Sequence, residues 1–207
     1  MQRFLRHEVH PQNPQPRFLQ HVATQLRAGA IALLPTAAGY ALVCPLDDKA
    51  AADQLRRCAD LGERAPATLL CRDLAQAASY LHVDDHAYRT LRAAADGTQA
   101  FVLRSTRRVP RRLSAPAGGA SLLQFGGHVV AQDLLELLDE PLLIALPADE
   151  VVSTLDQLPH RWRGALDVAL DAGPLPGARA PQVVDPDGLL LARPSLSRWA
   201  GVAPALA

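Results

Sequence analysis

The chain has 207 residues, 49% of them hydrophobic but only 4% aromatic, and its 21 Lys and Arg balance 21 Asp and Glu. That is enough apolar material for one sizeable core, built from Leu, Val and Ala rather than from rings. Zero net charge excludes a global field drawing the chain to nucleic acid or to a membrane.

The opening His10-Pro11-Gln12-Asn13-Pro14-Gln15-Pro16 is punctuated by proline and leads into a helix with Phe18, Leu19, Val22 and Leu26 on one face. Arg27 falls in its last turn and Gly29 in the place of a C′ residue. Residues 30–34 read as a short buried strand ending at Pro35. Asp47 and Asp48 start a helix running to about Asp60, with Ala51, Leu55 and Cys58 turned inward. A strand over 67–71 follows, then a short helix begun by Asp73 and another capped by Asp84 or Asp85, carrying Ala87, Tyr88 and Leu91. Asp96-Gly97 is a turn signal. Strands over 100–103 and 122–125 flank a basic segment and a flexible loop over 115–119, and Gly126-Gly127 is a break. A helix carrying Val130, Leu134, Leu137 and Leu138 is stopped by Pro141. A strand over 142–146, a short helix over 149–158, and closing strands over 165–170, 182–184 and 189–191 complete the chain, with Asp185-Pro186-Asp187-Gly188 as the last hairpin turn. Alternating strands and helices predict an α/β fold, a mixed sheet covered by helices, in a single domain over 1–207.

Three cysteines, Cys44, Cys58 and Cys71, are too few and too widely spaced for a disulfide framework or a CxxC zinc site. Cys44 and Cys58 have the choice between a reactive thiol and the commoner buried one. No apolar run is long enough to span a bilayer, and none follows the charges of the first residues. The expected setting is the cytoplasm, with reduced thiols and no membrane partner. His82 and His86 stand four apart, the spacing of helical metal ligands, but Asp84 and Asp85 cap a helix that begins after His82, so no metal site is expected. Arg104, Arg107, Arg108, Arg111 and Arg112 are the strongest local charge feature. They are of a kind that neutralises phosphates, although no aromatic lies among them to stack on bases. There is no Walker-type glycine loop and no Gly-x-Ser-x-Gly elbow.

The segment Pro35-Thr36-Ala37-Ala38-Gly39-Tyr40-Ala41-Leu42 resembles the Pro-Thr-Asp-Ser-Gly-Tyr-Ala-Leu signature of the YciO branch of the YrdC/YciO family. His10-Pro11-Gln12-Asn13-Pro14-Gln15, Thr68-Leu69-Leu70-Cys71-Arg72-Asp73-Leu74, Phe101-Val102-Leu103, Val109-Pro110-Arg111-Arg112-Leu113, Glu140-Pro141-Leu142 and Asp167-Val168-Ala169-Leu170-Asp171-Ala172-Gly173 keep the order and spacing of that branch. The resemblance implies a twisted mixed sheet with a concave, positively charged pocket. It also implies an enzyme that condenses L-threonine, bicarbonate and ATP into threonylcarbamoyl-adenylate for tRNA modification. Such chemistry needs cations on the triphosphate and polar groups that orient the amino acid.

The chain departs from the pattern at those positions. The family's Lys-x-Arg aligns with Arg57-Cys58-Ala59, and its acid and hydroxyl with Ala37 and Ala38. Its Pro-Gly-x-x-Thr turn reads Asp96-Gly97-Thr98-Gln99-Ala100, its Arg-x-Pro reads Gln124-Phe125-Gly126, and its Ser-x-Asn or Ser-x-Ser reads Ile144-Ala145-Leu146. Its Ser-Thr-x-x-Asp reads Pro181-Gln182-Val183-Val184-Asp185, and its Arg-x-Gly reads Arg193-Pro194-Ser195. What the resemblance leaves for a nucleotide is Thr36, Gly39, Tyr40, Arg57 and Arg193. Family members are described as binding double-stranded RNA, which points to Arg72 together with Arg104, Arg107, Arg108, Arg111 and Arg112. The expectation is a protein that binds RNA or nucleotide without efficient catalysis. The alternatives are a working synthase using ATP-Mg and threonine with no further cofactor, and a structural or assembly protein whose former pocket is only core.

Overall fold

The structure is a computed structural model that describes residues 4–61, 65–93, 96–115, 119–147 and 150–185. The strand expected over 189–191 and most of the turn before it lie outside the described residues.

Nine described strands form one sheet: β1 (Leu5–Glu8), β2 (Ala32–Thr36), β3 (Gly39–Pro45), β4 (Thr68–Cys71), β5 (Gln99–Arg104), β6 (Ala120–Phe125), β7 (Leu142–Ala145), β8 (Val168–Asp171) and β9 (Gln182–Val184). Their order is β1-β8-β2-β3-β7-β4-β6-β5-β9. The pairs β1–β8, β2–β8, β4–β6 and β5–β9 are parallel, and the other neighbours are antiparallel. The expected mixed α/β fold is the fold observed.

Because side chains alternate along a strand, neighbours such as Leu33 and Leu34, or Leu143 and Ile144, feed two separate cores. Leu34, Val43, Leu70, Ile144 and Leu170 pack under α1 (Pro16–Arg27) and α5 (Val129–Leu138). Leu33, Leu42, Leu69, Phe101 and Leu143 pack under α2 (Lys49–Cys58), α3 (Leu74–Tyr80), α4 (Asp85–Ala93) and α6 (His160–Arg163). The helices start where acids stand ready to cap them. Asp48 accepts the Ala51 N–H at 2.9 Å, Asp73 that of Gln76 at 2.7 Å, and Asp84 that of Ala87 at 2.7 Å. Pro16 opens α1, where its missing N–H is harmless.

Two local expectations are corrected, and β1, β3 and α6 form where the sequence pattern assigns no element. β2 does not stop at Pro35 but runs through it to Thr36. Pro35 faces Tyr40, whose N–H points out of the hairpin to the Val152 carbonyl at 2.7 Å. That is a non-hydrogen-bonded pair, so proline costs no ladder bond there. β1 was not foreseen, because Leu-Arg-His-Glu carries no apolar alternation. The helix expected over 149–158 is, among the described residues, a single 3-10 turn at Leu155–Gln157. The carbonyls before it serve distant partners, Val152 accepting from Tyr40 and Ser153 from Leu175 at 2.9 Å. Finally, α6 forms over His160–Arg163, a stretch to which the sequence pattern assigns no element.

Candidate functional site

The signature residues form the tip and returning arm of the β2–β3 hairpin, and their polar groups are spent on holding it. The Thr36 hydroxyl donates to the Gly39 carbonyl at 2.7 Å and accepts the Ala38 N–H at 3.1 Å, closing the turn on itself. Tyr40 is fully buried. Its hydroxyl accepts the Ala172 N–H at 2.9 Å and shares its proton between Asp171 Oδ1 at 2.9 Å and the Gly173 carbonyl at 2.7 Å. Asp171, only 5% exposed, also accepts the Gly173 N–H at 2.9 Å and pairs with Arg6 of the edge strand β1. Burial first, then the Asp171 charge and hydrogen bond, push the Tyr40 phenol above its ordinary value. This phenol is a brace across β1, β8 and β3.

The hairpin tip docks on the turn between β6 and α5. The Ala37 N–H donates to the Gly126 carbonyl at 3.1 Å. Gly127 has a φ of +61°, and a Cβ placed on it would overlap the Asp96 carbonyl oxygen and stand 2.6 Å from the Ala37 methyl. Gln124, 1% exposed, directs its Nε2 at the Gly97 carbonyl at 3.4 Å. Asp96 Oδ1 accepts both the Thr98 hydroxyl at 2.6 Å and the Thr98 N–H at 3.0 Å, and these bonds lower its pKa. His128 caps α5 by accepting the Val130 N–H on Nδ1 at 3.2 Å, which places its proton on Nε2. Burial lowers its pKa. Three positions that depart from the family pattern, Ala37, Gln124 and Gly126, are therefore brought to one backbone-to-backbone junction.

Of the remaining departures, Ala38, Ala59, Ile144 and Leu146 lie in the two cores, while Ala100 packs in a third, smaller cluster and Asp96 and Gln182 are exposed. Ala38, Ile144 and Leu146 pack in the cluster under α1 and α5, at 3%, 3% and 7% exposure. Ala59 and Ala145 are in the opposite cluster with Val152, Leu155, Leu158 and Trp162. Ala59 is fully buried, whereas Arg57 is exposed on the last turn of α2. The indole N–H of Trp162 donates to the Cys58 carbonyl at 3.1 Å. Burial raises the Cys58 thiol, opposed by Arg57 and Arg161, and burial raises Cys44 and Cys71 as well. Arg193 lies outside the described residues.

The arginines divide between places. Arg72, after β4, is held between Asp73 at 2.8 Å and Asp139 at 3.0 Å. Arg104 faces Ala120 at the start of β6, while Gly126 of the junction follows its other end. The structure thus separates the basic segment from the hairpin tip by the length of β6. His82 precedes α4 and donates its N–H to the Arg104 carbonyl at 2.8 Å, so His82 and His86 share no helical face. Sequence reading missed Arg6 and the role of Asp171. Asp171 was present only as part of a matching stretch, and nothing local marks Arg6.

Fold and junction together define the class: a mixed-sheet α/β protein organised around a Pro-Thr hairpin that docks on a glycine turn. The Sua5/YciO/YrdC family model, described as telomere recombination, matches residues 24–195, and the chain belongs to that family. The YciO protein of Escherichia coli K12 is 33% identical over 181 residues, covering 86% of this chain and 87% of its own. The crystal structure of E. coli YciO superposes with a TM-score of 0.82 at 30% identity, over 88% of this chain and 90% of that one. P. abyssi Sua5 in complex with L-threonine superposes with a TM-score of 0.75 at 17% identity, over 87% of this chain and 54% of that one, which is a likeness of fold. Among the described residues no helix is long and apolar enough to cross a membrane.

Proposed function

We propose that this chain is a family member that has given up efficient threonylcarbamoyl-adenylate synthesis and binds RNA or nucleotide in the cytoplasm. The observation that carries this reading is the burial of the substituted positions. Where the family pattern places a hydroxyl, an amide or a cation, this chain has Ala38, Ala59, Gln124, Ile144 and Leu146, none more than 7% exposed, and in the place of the acid it has the half-buried Ala37. A buried methyl cannot hold a triphosphate or orient an amino acid. Loss of a single charge-stabilising donor costs about 100- to 1,000-fold in rate, and here several are gone together. Thr36, Gly39, Tyr40, Arg57 and Arg193 are what the resemblance leaves for a nucleotide, but the Thr36 and Tyr40 hydroxyls are engaged inside the protein. Phosphate recognition then falls to the arginines, and an RNA such as tRNA is the partner of the basic segment.

A second reading, synthase activity from L-threonine, bicarbonate and ATP, draws on one observation: a protein of this fold, P. abyssi Sua5, holds L-threonine. The proposal is tested by titrating a fluorescent RNA duplex into the full chain at low salt, with ATP-Mg in parallel. Saturable duplex binding that weakens steeply with salt is expected. Duplex and ATP-Mg signals that both stay flat at low salt contradict it.

A further inference from the structure

The edge strand β1 is held by different groups on its two faces. It stands at one end of the sheet and pairs with β8 alone. Its residues are exposed except for His7, which is half-buried. The Leu5 N–H donates to the Asp167 carbonyl at 2.9 Å and, just past the strand, the Val9 N–H donates to the Asp171 carbonyl at 2.8 Å. Phe4 and Val9 flank the strand with apolar contacts to the two cores. Strand alternation sends Arg6 and Glu8 to one face and His7 to the other. Arg6 reaches Asp171 at 2.5 Å and Glu8 at 3.3 Å, and through Asp171 it completes the Tyr40 brace.

His7 turns toward α1. Its ring stacks on Phe18, with centroids 4.6 Å apart at 24°, and meets the His21 ring edge-on at 88°. His7 Nε2 lies 2.9 Å from His21 Nδ1, so one of them carries the hydrogen and the other accepts it. No anion balances the pair. From α1 the facing charge is Arg17, whose guanidinium sits 4.6 Å from the centre of the Phe18 ring. From β8 the residues on this face are Val168 and Leu170, both apolar and buried. Arg6, Glu8 and Asp171 meet on the opposite face. Among the described residues neither imidazole has an ion-pair partner.

Such a pair holds in a limited range of charge. With both rings neutral, one N–H donates to one lone pair. One added proton is tolerated, because an imidazolium still donates to its neutral neighbour. A second leaves N–H facing N–H, beside the Arg17 cation, and the bond is gone. Burial first, then His21 and Arg17, hold His7 below its ordinary pKa of 6.5, so the docked strand resists protons that the free strand takes. The state that binds more protons gains as pH falls. Docking is therefore complete above about pH 6.5 and weakens below it.

We propose that the His7–His21 pair is a proton-sensitive latch on β1: in mild acid it releases residues 4–8 from α1 and β8, and with them Arg6 from the Asp171–Tyr40 brace of the signature hairpin. The latch stands independently of RNA or nucleotide binding. It couples a strand at the sheet edge to the Pro-Thr hairpin, and its release bares the outer edge of β8, whose backbone groups then lack partners.

The test is amide hydrogen exchange of the full chain, read residue by residue by NMR from about pH 7.5 to about pH 5, across the imidazole range. Protection factors cancel the intrinsic pH dependence of exchange. For each proton that the free strand holds beyond the docked one, opening grows about tenfold per pH unit. The Leu5 and Val9 amides should lose protection by roughly 10-fold or more over the range. The Ala172 and Gly173 amides, which bond to Tyr40 and Asp171, should follow. Amides of the buried strand β4 should keep theirs, which sets release apart from acid unfolding. His7→Phe keeps a flat ring against Phe18 and removes the titration, so protection should stay level with pH. His21→Gln leaves His7 a neutral hydrogen-bonding partner and should make the loss shallower, a comparison that stands even if His7→Phe docks poorly. A wild-type β1 equally protected at both ends of the range overturns the latch. So does an equal loss in the wild type and both variants, which would put the sensor at Arg6 and Asp171. Loss confined to Leu5 and Val9, with Ala172 and Gly173 unmoved, overturns the coupling to the brace.

Discussion

Gly127→Ala is expected to destabilise the protein by about 4 kcal/mol or more, placing it among the most damaging single substitutions a folded protein shows. Two costs combine. Gly127 has a φ of +61°, in the left-handed region that an alanine enters only with strain of about 1 kcal/mol. The larger cost is steric. The added methyl would overlap the Asp96 carbonyl oxygen and press on the Ala37 methyl at 2.6 Å. A backbone oxygen cannot rotate aside, so either the 96–98 turn or the hairpin tip must move, and the Ala37-to-Gly126 hydrogen bond at 3.1 Å is lost with it. For a chain of this size the melting temperature should fall by roughly 10 °C. Gly119→Ala is the control. Its φ of +60° is nearly the same, but among the described residues nothing lies within 4 Å of the added methyl. It should lose only the conformational cost. Equal losses in the two variants would mean that the junction is not packed backbone on backbone.

Ala59→Arg is expected to cost about 3–5 kcal/mol, by placing an unpaired guanidinium in the core. The substitution restores the cation of the family's Lys-x-Arg pair, so it separates a filled site from an open one. Ala59 is fully buried, in one cluster with Leu55, Val152, Leu158 and Trp162. Among the described residues of that cluster an arginine meets only apolar side chains. Arg57→Ala, two residues away on the exposed side of α2, should change stability by less than about 0.5 kcal/mol. Paired thermal melts read both effects. An Ala59→Arg protein that melts like the wild type and gains ATP affinity would show the position to be the wall of an open pocket.

How much of this was legible in sequence depends on how far apart the partners lie. Helix starts were local: Asp48, Asp73 and Asp84 each cap a helix whose first turn follows immediately. Buried strands such as β4 and β6 announced themselves as short apolar runs between turn residues. The β2–β3 turn did not, since Thr36-Ala37-Ala38-Gly39 lacks the Asn-Gly or Asp-Gly code of tight hairpins. β1 is polar and takes its strand conformation from pairing with β8, far along the chain. The site was legible only as a list of departures. That Ala37 and Gly126 touch, that Tyr40 is braced by Asp171, and that Arg6 completes the brace all depend on strand neighbours that no local pattern encodes. The basic segment shows the same limit. Its charge was plain, but that Arg108 stacks on Tyr80 and Arg112 donates to the Leu46 and Asp47 carbonyls depends on other elements.

The central claim, a kept fold without efficient synthase chemistry, is tested most directly by pyrophosphate release. The purified chain is incubated with ATP-Mg, bicarbonate and L-threonine, and pyrophosphate is followed over many protein equivalents. The account expects release no faster with threonine than without it. Threonine-dependent release running through multiple turnovers would contradict it, and would mean that Arg57, Thr36 and groups not yet assigned suffice for the reaction.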